Sequence, residues 1–226
     1  MAPHHIRIYE ESHRERVVDL FTRGMEEHIS VTFHHMLMLP QTLVLLIGVP
    51  LTVFMVLGSW LLVLISSFTL FVLLWFLAKY TWDKYVFLCL HKDMADITKT
   101  YLSARDSCFW VAESGGQVVG IVAAMPREVS LLQRKQLHLR HLSVSLEHRR
   151  TGIGKALVRT VLQFARDQGY SEVVLGVSIL QHAALALYQS MGFQNTGKTF
   201  FSRISRLRNT PIIHFMYRLT SPEAGL

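Results

Sequence analysis

Hydrophobic positions follow three rhythms along this chain. The longest is continuous: from Met36 to Ala78 there is no Asp, Glu, Lys, Arg or His. As one helix this run would measure about 65 Å, roughly twice the ~30 Å hydrocarbon core of a bilayer. Pro50 and the pair Gly58-Ser59 offer places to bend or break it. Two membrane helices in a hairpin, near 41–57 and 60–78, are therefore expected, with a single long tilted helix as the alternative. Trp60, Trp75, Tyr80 and Trp82 are placed to sit at the interfaces.

The flanking sequence changes to periods of two and of three to four. Ile6-Arg7-Ile8 reads as a strand, and Ser12 as the cap of a helix that buries Val17, Leu20, Phe21 and Met25. Asp83–Tyr101 reads as a second helix. Strands follow at 108–113 and 118–124, joined by the turn Ser114-Gly115-Gly116-Gln117, and at 137–145. Residues 152–168 form an amphipathic helix carrying Ile153, Leu157, Val161 and Phe164, ended by Gly169. A strand at 172–177, a helix at 180–191 stopped by Gly192, and strands near 193–204 and 212–219 complete the order. The pattern is that of one α/β (α+β) domain, residues 1–35 and 79–219, interrupted between its first two helices by the segment 36–78. Residues 220–226 read as a tail.

Composition sharpens this picture. Half of the 226 residues are apolar and 17% are charged, with a mean hydropathy of +0.29. That excludes disorder. Two cysteines, Cys89 and Cys108, exclude a disulfide framework. Lys and Arg number 23 against 16 Asp and Glu, a net +7, which suits nucleic acid, an anionic membrane or a polyanionic cofactor. Arg7, Arg14, Arg16 and Arg23 precede the apolar run and Lys79, Lys84 and Lys92 follow it, favouring a hairpin with both termini in the cytosol. The run begins too late and is too long for a secretory signal, and no N-x-[ST] sequon occurs.

The chemistry concentrates in His148-Arg149-Arg150-Thr151-Gly152-Ile153-Gly154-Lys155-Ala156. Strand, glycine turn and helix in succession aim unpaired amides and a helix N-terminus at an anion. The spacing fits neither a Walker A loop nor the dinucleotide fingerprint, whose third glycine is Leu157 here. Taken alone, the pattern fits a structural turn as well as an anion site.

With a second motif the chain resembles the GNAT superfamily of acetyl-CoA-dependent N-acetyltransferases. Arg149, Gly152 and Gly154 match its pyrophosphate loop, and Ala184-Leu-Ala-Leu187-Tyr188-Gln-Ser-Met-Gly192-Phe193 matches its second signature. The resemblance spans about residues 6–218 outside the insertion. That insertion, with the stretch Phe164–Glu172, is similar to the camello-like N-acetyltransferases. The resemblance implies a GNAT acyl-CoA N-acyltransferase fold with a mixed central sheet. It implies acetyl-CoA as cosubstrate, held by Arg149, Arg150, Thr151, Gly152, Ile153, Gly154 and Lys155. The main chain of Leu142 and Val144 is expected along the pantetheine arm, with Gln181 and Ala184 from the second motif. Gln181 stands where many members have Asn. Tyr188 is expected to touch the cofactor and act as general acid, since a phenol of pKa near ~10 stays protonated at neutral pH. The base stays open among Glu113, His138, His141 and Glu172.

The resemblance leaves the acceptor open as well. A cysteine S-conjugate offers an α-amine beside a carboxylate that Arg127, Arg140, Arg203 or Arg206 could pair. Lysines of membrane, luminal or histone proteins are the competing enzyme reading, and a non-catalytic role in adhesion or gastrulation the non-enzymatic one. The expected setting is the endoplasmic-reticulum membrane, facing the cytosol. Oligomeric state is left open. Direct nucleic-acid binding finds no supporting motif. No metal is expected: His4-His5 and His34-His35 lack ligand partners, and His138 and His141, three apart on a strand, should face opposite ways.

Overall fold

Seven strands form one twisted sheet in the order β1-β2-β3-β4-β5-β7-β6, in a computed structural model that describes residues 4–127 and 135–219. The expected tail 220–226 lies outside the described residues. The strands are β1 (His4–Ile8), β2 (Cys108–Ser114), β3 (Gln117–Arg127), β4 (Gln136–Val144), β5 (Glu172–Ser178), β6 (Gln194–Thr199) and β7 (Ile212–Arg218). Only β4 and β5 run parallel; every other neighbouring pair is antiparallel. The helices are α1 (Arg14–Leu37), α2 (Pro40–Leu57), α3 (Trp60–Leu90), α4 (Ile153–Asp167), α5 (His182–Ser190) and α6 (Arg203–Leu207). This is the mixed α/β arrangement expected from the sequence.

The chain divides into two compact units, residues 25–88 and the remainder. In the larger unit, strand alternation gives the sheet two buried faces. Trp110, Val122, Leu137, Leu139 and Val173 join Leu157, Val158 and Val161 of α4 in one cluster. The alternate residues Phe109, Val111 and Ile121 are also fully buried, and Phe109 meets the rings of Tyr9 at 5.5 Å and Tyr101 at 5.6 Å. Seating α4 on the sheet requires a bare backbone at Gly120. A Cβ there would lie 3.0 Å from Leu157 Cδ1 and 3.1 Å from Ile153 Cγ2.

In the smaller unit the break falls where the sequence allows it. Gly58 ends α2 with φ of 63°, its N–H bonded to Phe54 O at 2.8 Å, while Pro50 stays inside the helix. Hydroxyls within the apolar helices fold back onto backbone carbonyls, as at Thr52→Gly48, Ser67→Val63 and Thr69→Ile65. α1 and α3 pair through Trp82 Nε1, which donates to Thr32 Oγ1 at 2.7 Å, and through Phe33 and Trp75, 5.4 Å apart.

Several expectations are corrected. The helix expected over 83–101 does not stand alone: α3 continues through Asp83 to Leu90 without a break, and only a single π-helical turn, Thr98–Leu102, follows before β2. Nothing in Lys79-Tyr80-Thr81-Trp82 stops a helix, so a change of polarity was mistaken for a change of element. Trp82 is buried and hydrogen bonded rather than an interface anchor. Ser12 does not cap α1. A short 3-10 turn, Glu11–His13, precedes it, with Glu10 N–H donating to His13 Nδ1 at 3.1 Å. The strand expected near 193–204 ends at Thr199, and α6 begins at Arg203, within its expected last residues.

Gly120→Ala should lower stability by about 1–3 kcal/mol, because both neighbours are themselves buried and cannot yield. Thermal unfolding of the purified protein checks this, and an unchanged midpoint would mean that α4 is free to shift.

Candidate active site

The strand β4 carries one residue more than its partner requires. Ile121 pairs with Ser143 but Ala123 with Arg140, so His141 and Leu142 together oppose Val122. This β-bulge puts His141 in the left-handed region at φ 54°. Beyond the bulge β4 stays with β3 as far as Val144, yet its pairing with β5 is recorded only at Gln136, Leu137 and His138. β5 meanwhile keeps its bonds to β7 through Ser178. The two parallel strands thus part company. Ser145 N–H is bonded to Val119 O at 2.8 Å, so in an antiparallel ladder Val144 turns its own N–H and C=O to the opposite edge, toward the parting.

The glycine loop closes over this end of β4. Arg149 Nε donates to Val144 O at 3.0 Å, clamping loop to strand. Thr151 Oγ1 donates to His148 O at 2.6 Å, and Ser145 Oγ meets His148 Nδ1 at 2.9 Å. Arg150 and Gly152 have φ of 62° and 92°. A Cβ on Gly152 would meet nothing within 4 Å, so the glycine is needed for its dihedral and leaves an open concavity. α4 then begins with Ile153 buried against the core, and its first intrahelical bond is Ala156 N–H to Gly152 O. The preceding amides of that turn have no helical acceptor, and Arg150 and Lys155 stand beside them: the features a diphosphate requires. Gly154 lies 3.5 Å (from a virtual Cβ) to Leu187 of α5 and 3.9 Å to Val144. Loop, β4 edge and second motif therefore meet here.

The expected catalytic groups are less uniformly placed. Tyr188 is 5% exposed in the core, with Phe193 at 5.5 Å and Phe215 at 6.3 Å. Ala184 packs against the same cluster, as do Leu142 and Val144. Gln181 precedes α5, and its Oε1 accepts from Ser178 N–H at 3.2 Å, so this side chain shapes the turn. Glu113 is engaged by Arg7 at 2.5 Å and lies 3.4 Å from His13, two strands away from β4. Glu172 is buried and accepts from Gln136 Nε2 at 2.7 Å. Its partner Gln136 is six residues before Leu142, about 20 Å along the strand.

His138 and His141 do not face opposite ways. The bulge cancels the alternation, and adjacent residues Arg140 and His141 both reach Asp93 Oδ2, at 3.1 and 2.5 Å. Tyr101 O–H donates to the same oxygen at 2.5 Å. Asp93 was missed from sequence: a single carboxylate in a turn after the apolar run carries no motif. Burial alone would raise its pKa, but the bonds from His141 and Tyr101 and the charge of Arg140 outweigh it and hold the carboxyl well below its usual range. Burial, then Asp93, pushes the Tyr101 phenol far upward. Burial, followed by the charges of Arg140 and Arg127, lowers His138 to about 4. His141 Nδ1 is buried with no hydrogen-bond partner among the described residues. No group of three potential metal ligands occurs among the described residues.

The parted parallel pair and the glycine loop meet at one end of β4, and residues 74–193 match the Acetyltransferase (GNAT) family. The chain belongs to that family, whose chemistry is acyl transfer from acetyl-CoA. It is 68% identical over 225 residues to N-acetyltransferase family 8 member 7 of Mus musculus, covering 100% of this chain and 99% of that protein. It is 57% identical to N-acetyltransferase 8 of Homo sapiens over the same number of residues and with the same coverage. Among solved structures it resembles a GNAT-family acetyltransferase of Staphylococcus aureus, with TM-score 0.59 and 13% identity, covering 96% of this chain and 100% of that one. That likeness shows the fold.

The depressed His138 makes a pH prediction. An unfolded histidine titrates near 6.5 and the folded one near 4, so its contribution is complete above pH 6.5 and is lost as pH falls toward 4. The loss should reach at most about 3 kcal/mol. Denaturant unfolding at pH 7, 5.5 and 4 should show His138→Asn with a shallower decline than the wild type. Parallel declines would remove His138 as the source.

Proposed function

We propose that this chain is a membrane-embedded N-acetyltransferase acting on the α-amine of apolar, carboxylate-bearing amino-acid conjugates, the cysteine S-conjugate class. One observation carries the reading. At the bulge of β4, where the strand leaves β5 beside the phosphate loop, Arg140 and His141 are turned to the same face. In this reading the Arg140 guanidinium, already shared with Asp93, takes up the acceptor carboxylate where His141 takes the ammonium proton.

Acetyl-CoA supplies a thioester carbonyl already activated for attack. The chain has five tasks. Arg150, Lys155 and the amides of 150–155 hold the phosphates, while Arg149 fixes the loop to Val144. The edge of Leu142 and Val144 takes the pantetheine arm, and Val144 N–H faces the carbonyl oxygen as charge develops. Tyr188 protonates the departing thiolate. His141 takes the amine proton: its Nε2 faces the Asp93 carboxylate, so Nδ1 is the nitrogen left to meet the amine. A buried acceptor without a partner costs about 1–3 kcal/mol, which a proton from amine or water at Nδ1 offsets. Asp93 positions the ring and steadies the imidazolium.

The membrane part of the proposal rests on α2 and α3. Their most apolar stretches are only 11% and 6% buried, opposite to the core helix of a soluble protein. Hydrocarbon would cover them, as a hairpin in the endoplasmic-reticulum membrane with the residues on either side of 36–78 in the cytosol.

The test is acetyl transfer by the detergent-purified chain to S-benzylcysteine, its decarboxylated analogue S-benzylcysteamine, and a lysine peptide. S-benzylcysteine should give the highest kcat/KM, and Arg140→Gln should erase its advantage over the analogue. A lysine peptide preferred over both would transfer the assignment to protein acetylation. In the same assay Asp93→Asn should lower kcat by roughly 10- to 1000-fold and displace the acid limb of the pH–rate profile, with little change in acetyl-CoA KM. An unshifted profile would exclude His141 as base.

A further inference from the structure

Between Glu172 and Glu223 the chain contains no Asp or Glu, yet it holds Lys198, Arg203, Arg206, Arg208 and Arg218. Within this stretch lies the most exposed apolar group among the described residues of the larger unit. Phe201 is 83% exposed, Ile204 58% and Leu207 65%. Ile204 and Leu207, three apart, lie on one side of α6, and Phe201 stands just ahead of its Ser202 cap. Arg203 and Arg206 each immediately precede one of the helical pair, and the Arg206 guanidinium lies 5.7 Å over the Phe200 ring. The helix is no loose tail: Ser202 and Ser205 cap it reciprocally, at 3.1 and 2.9 Å. Beside it, all six residues of the edge strand β6 are exposed.

We propose that α6, with Phe201, is a bilayer-contact surface that docks on anionic lipid headgroups. A soluble surface rarely groups large apolar side chains, and burial of this row needs an apolar phase. The arginines need an anion at the same depth. The boundary between headgroups and acyl chains offers both, in the manner of an interfacial amphipathic helix. A folded acidic protein would meet the charges of Arg203 and Arg206 but would also have to supply an apolar groove matched to Phe201, Ile204 and Leu207. The inference rests on the proposed hairpin, because a chain already held in a bilayer presents α6 to lipid at high effective concentration.

The experiment is hydrogen exchange on the full chain in nanodiscs of phosphatidylcholine alone, in nanodiscs containing phosphatidylserine, and in detergent micelles. Peptides covering 200–208 should exchange roughly fivefold more slowly with phosphatidylserine present. That protection should vanish at high salt, in Arg203→Glu/Arg206→Glu, and in Phe201→Ser/Ile204→Ser/Leu207→Ser. Unchanged exchange across α4 controls for folding of the variants. Peptides covering 40–57 and 60–78, read in the same samples, should be protected in every nanodisc, and their failure alone would overturn the hairpin. Protected hairpin peptides with identical exchange at 200–208 in all three settings would overturn the docking surface. So would protection at 200–208 that polyglutamate induces and phosphatidylserine does not.

Discussion

One surplus residue in β4 governs the arrangement of the site. A parallel pair bonded along its whole length has no free backbone to offer a ligand. The bulge at His141 bends β4 so that it stays with β3 while leaving β5 after His138. The edge amides of Leu142 and Val144 then belong to neither neighbour. Holding a non-glycine residue in the left-handed region costs of order 1–3 kcal/mol, so something must fix it there. The three groups converging on Asp93, with the ring of Phe21 5.1 Å from that of His141, supply the constraint. Asp93 therefore serves the backbone geometry as much as the electrostatics.

Much of this was legible from residues, and the rest was hidden for identifiable reasons. The apolar run predicted two long apolar helices and their break at Gly58, because charge-free sequence and an αL glycine are both strong local signals. α4 followed from Ile153, Leu157 and Val161, all on one buried face. The phosphate loop needed its second motif before it could be told from a plain turn. The bulge left no trace in the pattern: His138-Leu139-Arg140-His141-Leu142 alternates well enough to read as regular strand, and strict alternation assigned the two histidines to opposite faces. Asp93 is decisive only through partners from β4 and from the turn at Tyr101, distant in sequence. The α3 boundary failed because a helix passing from apolar to polar surroundings changes composition without ending. α6 has five residues, too few for any period to show.

The four base candidates show how context, rather than residue type, decides availability. All carry groups of suitable chemistry. Glu113 already neutralises Arg7, and Glu172 is committed to Gln136 at the far end of β4. His138 is kept neutral by burial among cations, which makes it a poor proton acceptor. His141 is held by a carboxylate on one nitrogen and bare on the other. A base must be neutral beforehand and stabilised as a cation afterwards. Among the four, His141 alone has a carboxylate at one ring nitrogen to stabilise a cation, which is why the proposed mechanism gives it the proton.

The net charge of +7 could not be assigned from composition, and its distribution explains why. Carboxylates in the first half of the chain are largely spent locally: Asp19 on Arg16 and Arg23, Glu113 on Arg7, Asp93 on Arg140. Such pairs cancel in any long-range field. Past Glu172 no carboxylate follows for fifty residues, so the cations there are not balanced by neighbours in sequence. Phosphate at the glycine loop accounts for Arg150 and Lys155 but not for Arg203 and Arg206, which sit among exposed apolar side chains. On the proposed readings, two polyanions of different kinds would divide the excess between them, a diphosphate at the glycine loop and a lipid surface at α6.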